Sequence, residues 1–474
     1  MNQTPIQQTT PALSPRAAVA LAAVAVAAFH LAYTVRGLSF LIAVFLVCLF
    51  TLSRLGTGRR AFYFGLAIGL AVYGPQLSFF WKIFGPGAIA LWAVLAFWIA
   101  LFVALARVFR VRLGPIWAAV LAPVLWTGLE YFRSELYYLR FSWLNVGYAF
   151  SDSPQVFVLA GLGVYGLGFE LMGAVSLVSA LPRWAAVTVG VVLLGAFGVG
   201  TNLPASKRSA ATPPASVVRV AGVQMEWPGA LEAERELTRL HAAQPEADLL
   251  VLSEYTFDGP LPKQVKDWCR KNERYLIAGG KDFVGDERFF NTAFVAGPKG
   301  EVVFQQAKAV PIQFFKDGLP ARQQAVWDSP WGRIGIATCY DLSYTRVMDR
   351  LVSRGAQALI VPTMDVAEWG EYQHRLHARV APMRAAEYGL PIFRVASSGI
   401  SQLVDQRGIV QSSTPFPGEN AMLAGELRLG KPGRVPLDRW IAPSSAALTA
   451  LLSVCLAVPG LGRKKSNPRP NAPC

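Results

Sequence analysis

The stretch "RIGIATCYDLSY", residues 333–344, decides what kind of chain this is. Ile334-Gly335-Ile336-Ala337 is a short apolar run without alternation, the pattern of a strand covered on both faces. Thr338 and Cys339 follow, and polarity rises sharply at Tyr340 and Asp341. A cysteine after such a run is usually a small buried hydrophobe. It can also be a nucleophile held at a strand end. The surroundings of Cys339 must decide.

Those surroundings are not those of a soluble enzyme. The chain has 474 residues, 53% hydrophobic and 16% charged, and the charged share is well below the usual quarter. Apolar residues concentrate in 17–200 and 440–459, so the chain reads as a membrane portion with a soluble domain inserted. A span needs roughly 20 mostly apolar residues. Eight runs are expected, at about 17–35, 37–53, 61–80, 87–106, 115–133, 155–181, 184–200 and 440–459, the second and seventh being short.

The formal net charge is +15. Its distribution makes it a topology signal rather than a nucleic-acid footprint. Arg54, Arg59 and Arg60 follow the second run; Arg107, Arg110 and Arg112 the fourth; Arg183 the sixth; and Arg463, Lys464, Lys465 and Arg469 the last. The opposite loops hold few, chiefly Arg36, Lys82 and Arg140. Positive residues stay inside, so both termini are expected in the cytoplasm and residues 201–439 outside it. The first run lacks a cleavage pattern and reads as a retained span. The five cysteines, Cys48, Cys269, Cys339, Cys455 and Cys474, form no disulfide framework, although a Cys269–Cys339 bridge stays open.

The expected organisation is a seven-helix membrane domain (1–200), a linker (201–216) containing "LPASKRSAATPPAS", a catalytic domain (217–430), a final span (440–459) and a basic tail (460–474). Within 217–430, strands are expected at 217–225, 248–254, 275–280, 290–297, 301–306, 332–338, 357–361, 391–396 and 401–405. Helices are expected at about 230–243, 261–274, 343–354 and 371–388. Alternation of the two predicts an α/β domain with two sheets, a four-layer α-β-β-α sandwich.

Two residues give Cys339 its context. Glu254 ends the run "DLLVLSE", where α/β sheets place active sites. Lys308 in "FQQAKAVPI" follows another strand. Alone, each reads as a surface or capping residue. Together with Cys339 they form a chemically complete set. A thiol needs a base to become a thiolate, and Glu254 can be that base and later an acid. A tetrahedral intermediate needs donors, which Lys308 and the backbone N–H of Tyr340 can supply.

Longer segments carry a resemblance. They are "FSWLNVGYAF" (141–150), "GLGVYGLGFEL" (161–171), "VAGVQMEWPG" (220–229), "LLVLSEYTFDG" (249–259), "RFFNTAF" (288–294), "IATCYDLSY" (336–344) and "QHRLHARVAPMRAAEYGLPIFRVASSGISQLVDQRG" (373–408). In these the chain resembles the bacterial apolipoprotein N-acyltransferases, membrane members of the nitrilase (carbon–nitrogen hydrolase) superfamily. The resemblance implies Glu254 as general base and acid, Lys308 as oxyanion stabiliser and Cys339 as nucleophile. It matches Tyr340 and Asp341 to the positions after the cysteine, Asn291 to an asparagine near the site and Trp143 to a tryptophan at the substrate entrance. It implies an inner-membrane enzyme with its catalytic domain on the periplasmic side; a monomer is expected. The implied acyl donor is a phospholipid, phosphatidylethanolamine foremost, and the acceptor a diacylated apolipoprotein.

The match has gaps. The family carries an assisting glutamate shortly after the lysine, and "KAVPIQFFKDG" offers Gln313 or Phe314 there. An Asn-Asp-x-Trp-Phe segment is here "PTMDVAEWGEY", Asp341 stands for a more usual glutamate, and Arg140 for a glycine. A membrane-tethered amidase and a non-catalytic lipoprotein-handling protein therefore remain as alternatives.

Other motifs are weaker. "GLGVYG" (161–166) has a dinucleotide-loop spacing but opens an apolar span, so close helix packing is expected. His374 and His377 stand three apart on a helix, with only His241 beside them in the domain, so no metal is expected. No phosphate loop is present, so no cofactor is expected either. Phe79, Phe80, Trp81 and Phe84, with Phe141, Trp143 and Tyr148, read as an interfacial belt or a lipid-entry rim.

Overall fold

The computed structural model describes residues 12–153, 156–182, 184–185, 187–192, 216–285 and 287–457. Most of the expected seventh span, the linker and the basic tail lie outside the described residues. Among the described residues, five helices are long and apolar enough to cross a membrane: Pro15–Thr34, Gly87–Leu113, Pro115–Leu136, Gly161–Val178 and Asp438–Leu456. Leu41–Leu52 is apolar but only about 18 Å long at 1.5 Å per residue. The expected third span ends early. Its helix is Gly58–Gln76, and the aromatic run after it forms a separate short helix, Phe79–Phe84. Gly65 and Gly69 bring helix Gly58–Gln76 against Gly87–Leu113. A Cβ at either would lie within 2.7 Å of the Ala100 or Ala96 Cα, so only glycine permits that approach.

Helix Val156–Val178 is broken at Gly163, whose φ is +78°. The break leaves the Val164 and Tyr165 N–H groups at the start of a new helical segment, where no carbonyl of the preceding turn can receive them. Glu387 Oε1 accepts from Val164 N at 3.1 Å, and Asp438 Oδ2 accepts from Tyr165 N at 3.0 Å. Negative side chains are favoured at a helix N-terminus. The "GLGVYG" glycine thus serves packing, as the sequence suggests, and also opens a docking point for two distant carboxylates.

Residues 216–429 form two six-stranded mixed sheets. The first is ordered β12-β1-β2-β3-β4-β5, with β1 Ser216–Val223, β2 Leu249–Val251, β3 Tyr275–Phe283, β4 Phe289–Ala296, β5 Val302–Ala307 and β12 Met422–Leu429. The second is ordered β11-β10-β9-β8-β7-β6, with β6 Val326–Ser329, β7 Gly332–Ile336, β8 Ala358–Thr363, β9 Ile392–Ala396, β10 Gln402–Val404 and β11 Val410–Ser413. In each sheet the three central strands are parallel and the flanking pairs antiparallel.

Side chains alternate between faces of a strand, and this separates the layers. Val218, Val220, Leu249 and Val251 point between the sheets, against Ile334, Ile336, Ile360 and Val395. Ala221, Leu250 and Leu252 point outward, against Leu237 and Leu240 of helix Ala230–Ala243 and Val265 of helix Lys263–Asn272. The second sheet is covered by helices Thr345–Ser353 and Val380–Tyr388, whose apolar residues are continuous with the core of the membrane helices. The result is the expected α-β-β-α sandwich, with one outer helix layer seated on the membrane bundle.

Candidate active site

Three strand ends converge between the sheets. After β2 the chain continues extended, Leu252 N donating to Ile277 O at 2.8 Å, and delivers Glu254. Gly279 makes room for it, since a Cβ there would lie 2.6 Å from the Glu254 Cα. After β5, Lys308 N donates to Asn291 O at 2.7 Å, which aims Lys308 inward. After β7 the chain turns abruptly: Cys339 has φ +50° and opens the 3-10 turn Cys339–Ser343. A left-handed cysteine is strained, and such strain collects at functional sites.

Glu254 and Lys308 are fully buried and paired, Lys308 Nζ lying 2.8 Å from Glu254 Oε1. Asn291 Nδ2 donates to the same oxygen at 2.6 Å, and Met364 N donates to Oε2 at 2.7 Å. Burial pushes the Glu254 carboxyl above its ordinary value, against the pull of Lys308. Burial also opposes the charge on Lys308, but Asp317 and Glu254 hold it firmly as an ammonium. The Cys339 thiol is pushed well up, by burial first and then by the Glu254 charge. Its Sγ donates to Met364 O at 3.7 Å. A thiol in this setting ionises only if its proton goes to a neighbouring base.

The supporting residues fall in different places. Asn291 is at the centre, on Glu254. Asp341 is one shell away: its carboxylate accepts from Ala309 N at 3.0 Å and Val310 N at 2.8 Å, tying the Cys339 turn to the chain after Lys308. Burial pushes its carboxyl up to about 6. The Tyr340 hydroxyl donates to Arg140 O at 3.2 Å. Trp143 is buried, donates to Ser343 Oγ at 2.9 Å, and stacks on His377 with ring centroids 4.5 Å apart. Cys269 and Cys339 are both free thiols. His374 and His377 diverge, His374 bonding Gly370 O and Ser398 Oγ and His377 bonding Asp365.

The carboxylate that the sequence leaves unassigned after Lys308 is Asp317. Its Oδ2 lies 2.8 Å from Lys308 Nζ and accepts from Ile312 N at 2.7 Å. Its Oδ1 accepts from Tyr255 OH at 2.8 Å and Asn291 Nδ2 at 2.9 Å. In sequence, "KDG" reads as a surface turn, which conceals a buried acid. Asp365 is the other residue that pattern alone does not find. Burial raises its carboxyl, but His377 and Arg394 outweigh that and hold it well below the carboxylate range.

Cys339 also opens onto a partly open cleft. Its walls come from both halves of the chain: Phe79, Phe80 and Phe84 below, and Phe314, Phe315 and Trp369 above. Phe84 touches Phe314 and Phe315 at 5.9 Å each. The cavity is lined mainly by apolar and aromatic side chains, with Arg140, Gln313, Asp365, Gln373 and His377 among its polar groups. Such a space suits an acyl chain.

The comparisons with known proteins follow the same division. Residues 219–431 match the family described as carbon-nitrogen hydrolase. Sandwich and match together define the class: an enzyme of the carbon–nitrogen hydrolase superfamily, with a nitrilase-like fold on a bundle of apolar helices. Residues 20–178 match the apolipoprotein N-acyltransferase N-terminal domain. The two matches take in well over half of the chain, which belongs to the bacterial apolipoprotein N-acyltransferase family. Among relatives of that name, the Geobacter metallireducens protein is 27% identical over 458 residues, covering 83% of this chain and 87% of its own. The Azotobacter vinelandii protein is 28% identical, with 83% and 86% covered. Among solved structures, Saccharomyces cerevisiae Nit3, of nitrilase branch 10, covers 54% of this chain and 100% of its own at 18% identity and TM-score 0.40.

Proposed function

We propose that the chain transfers an acyl chain from a phospholipid to the N-terminal amine of a diacylglyceryl-cysteine lipoprotein, through a thioester on Cys339. The observation that carries this reading is the position of Cys339. On one side it adjoins the buried Glu254–Lys308 pair, and on the other it lines the cavity shared with the membrane helices.

In the first half-reaction, Glu254 takes the thiol proton and the thiolate attacks the ester carbonyl, with phosphatidylethanolamine as the foremost donor. Lys308 and the Tyr340 N–H stabilise the developing oxyanion. Glu254 returns the proton to the leaving lysophospholipid, and the acyl group stays on Sγ. In the second, the amine attacks the thioester, giving an amide and free Cys339. Such a double displacement has ping-pong kinetics. Asn291, Asp317 and Asp341 position these groups, and Trp143 and Tyr340 line the entrance. Residues 217–430 act as the catalytic domain on the non-cytoplasmic side, with both termini cytoplasmic, a reading supported by the basic residues after alternate spans.

The test is intact mass spectrometry of the detergent-purified protein mixed with phosphatidylethanolamine, beside Cys339→Ala. A gain of one acyl group, sensitive to hydroxylamine and missing from the variant, is expected. No adduct with any phospholipid would overturn the reading and favour a membrane-tethered amidase.

A further inference from the structure

Arg140 carries a charge that nothing described so far uses. It follows helix Pro115–Leu136 and lines the cleft together with Cys339. Its backbone is tied to the catalytic turn, since its carbonyl accepts from the Tyr340 hydroxyl at 3.2 Å. Its guanidinium is not tied in this way. Among the described residues it has no hydrogen-bond acceptor and no carboxylate partner, and its Nε is buried. It lies over the Tyr344 ring, 5.5 Å from the centroid. Other arginines at this junction show the contrast. Arg133 Nη1 donates to Phe141 O at 2.9 Å, and Arg384 Nε donates to Leu342 O at 3.0 Å beside its ion pair with Glu387.

Arg346 brings a second cation to the same ring, 5.6 Å from the Tyr344 centroid. It reaches solvent, and it too has no hydrogen bond or ion pair among the described residues. Burial and then the Arg140 charge push its guanidinium below the ordinary value. Glu135 and Asp341 offset part of this, but other donors engage them. Glu135 Oε1 accepts from Thr345 N, and Asp341 accepts from Ala309 N and Val310 N. A buried donor without an acceptor is costly to keep. An anion arriving with the substrate removes that cost, and a planar guanidinium fits a phosphate through two N–H groups at once.

In a glycerophospholipid the ester and the phosphate share one glycerol. A phosphate is therefore only a few bonds from the carbonyl that Cys339 attacks. Among the described residues that line the cleft, Arg140 alone has a permanent positive charge. We propose that Arg140, backed by Arg346, holds the phosphate of the acyl donor and shifts donor choice toward phospholipids of net negative headgroup. The inference rests on the acyl-transfer reading above. Two guanidiniums face one phosphate, so positive charge is left over. That charge repels the ammonium of phosphatidylethanolamine and spares the neutral glycerol of phosphatidylglycerol. A glycine at position 140, as the resemblance expects, offers no such discrimination.

The experiment measures Cys339 acylation in full-length wild type, Arg140→Gln, Arg140→Lys and Arg346→Gln. Each is given phosphatidylglycerol or phosphatidylethanolamine with matched chains, in a neutral detergent at low salt. Arg140→Gln is expected to slow acylation from phosphatidylglycerol by about 10- to 100-fold. Phosphatidylethanolamine should lose less, so that the ratio of the two rates falls by about 2- to 5-fold. Arg346→Gln is expected to lower the ratio in the same direction. Arg140→Lys keeps the charge and should restore the ratio without restoring the full rate. Inorganic phosphate is expected to inhibit wild type no more than chloride of equal ionic strength. Unchanged rates in Arg140→Gln would overturn the inference, and so would equal losses with both lipids. Stronger inhibition by inorganic phosphate would assign the two arginines to a free anion and overturn it as well. Wild type that takes no acyl group from either lipid would instead sink the acyl-transfer reading itself.

Discussion

Asp317 Oδ2 lies 2.8 Å from Lys308 Nζ, the same distance that separates this ammonium from Glu254 Oε1. One lysine thus stands between two buried carboxylates. Asp317→Asn keeps the shape and removes a charge. The fold is expected to lose about 1–3 kcal/mol, the cost of a weakened buried polar contact, and acylation of Cys339 to slow. Thermal unfolding and single-turnover acylation measure the two effects. Acylation at the wild-type rate would show Asp317 to be a bystander.

The acylation step should have an acid limb. Glu254 must be ionised to take the thiol proton, and burial raises its carboxyl above the ordinary value of 4.5. The rate of adduct formation is therefore expected to rise with pH through a midpoint above 4.5 and then level off. Glu254→Gln should remove the limb and cost about 10²- to 10⁴-fold in rate. A limb that survives in the variant would belong to another group.

Asp341 links pH to stability. Its folded value of about 6 stands above the ordinary 3.8. The folded protein therefore holds this proton more tightly than the unfolded chain does. The resulting stability is fully present below 3.8 and is lost as pH rises through about 6. Asp341→Asn does not titrate. The stability of wild type relative to this variant should fall by on the order of 3 kcal/mol between pH 4 and 7. Melting curves at a series of pH values test it, and a constant difference would contradict it.

Gly163 and Gly161 separate two meanings of one motif. A Cβ at Gly163 would lie 2.2 Å from the Asp438 carboxylate, on a backbone at φ +78°. A Cβ at Gly161 would meet nothing within 4 Å. Gly163→Ala should cost at least about 1–3 kcal/mol in backbone strain, read as a lower melting temperature in detergent. Gly161→Ala should be nearly neutral. Equal effects would mean that the kink is not what holds the helix to Asp438.

Phe84 joins the membrane helices to the loop after Lys308. Each aromatic pair is worth about 0.5–1.5 kcal/mol beyond area burial. Phe84→Ala is expected to weaken acylation from phosphatidylethanolamine by about 2- to 10-fold per lost pair, while a water-soluble short-chain ester is used as well as before. Comparing the two donors by adduct rate checks this. An equal loss with both would place the effect on Cys339 rather than on lipid entry.

What the sequence discloses follows from where each residue sits. Glu254 and Cys339 follow buried apolar strands, which leave a clear mark, whereas Lys308 follows β5, a largely exposed edge strand, and is found by its place after an expected strand. Three further strands, Val326–Ser329, Val410–Ser413 and Met422–Leu429, are sheet edges. With one flank unpaired they carry mixed residues and leave little pattern. Asp317 hides in a turn-like triplet because its partner Lys308 is reached only through the fold. The Asp365–His377 contact spans two elements, which spacing along one helix cannot reveal. Helix Gly58–Gln76 is shorter than its apolar run because the aromatic residues after it turn into the cavity rim.

The kink at Gly163 also bears on the order in which the molecule can be completed. The carboxylates that receive the Val164 and Tyr165 N–H groups come 223 and 273 residues later in the chain. A ribosome that has finished the early helices has made the break but neither of its caps. Both N–H groups belong to residues that end almost wholly inaccessible to solvent, so a nascent or truncated chain carries an unmet demand at its middle. Only placement of the last helix, which begins at Asp438, satisfies the second of them, and the early bundle, the sandwich domain and the final helix are thereby finished together.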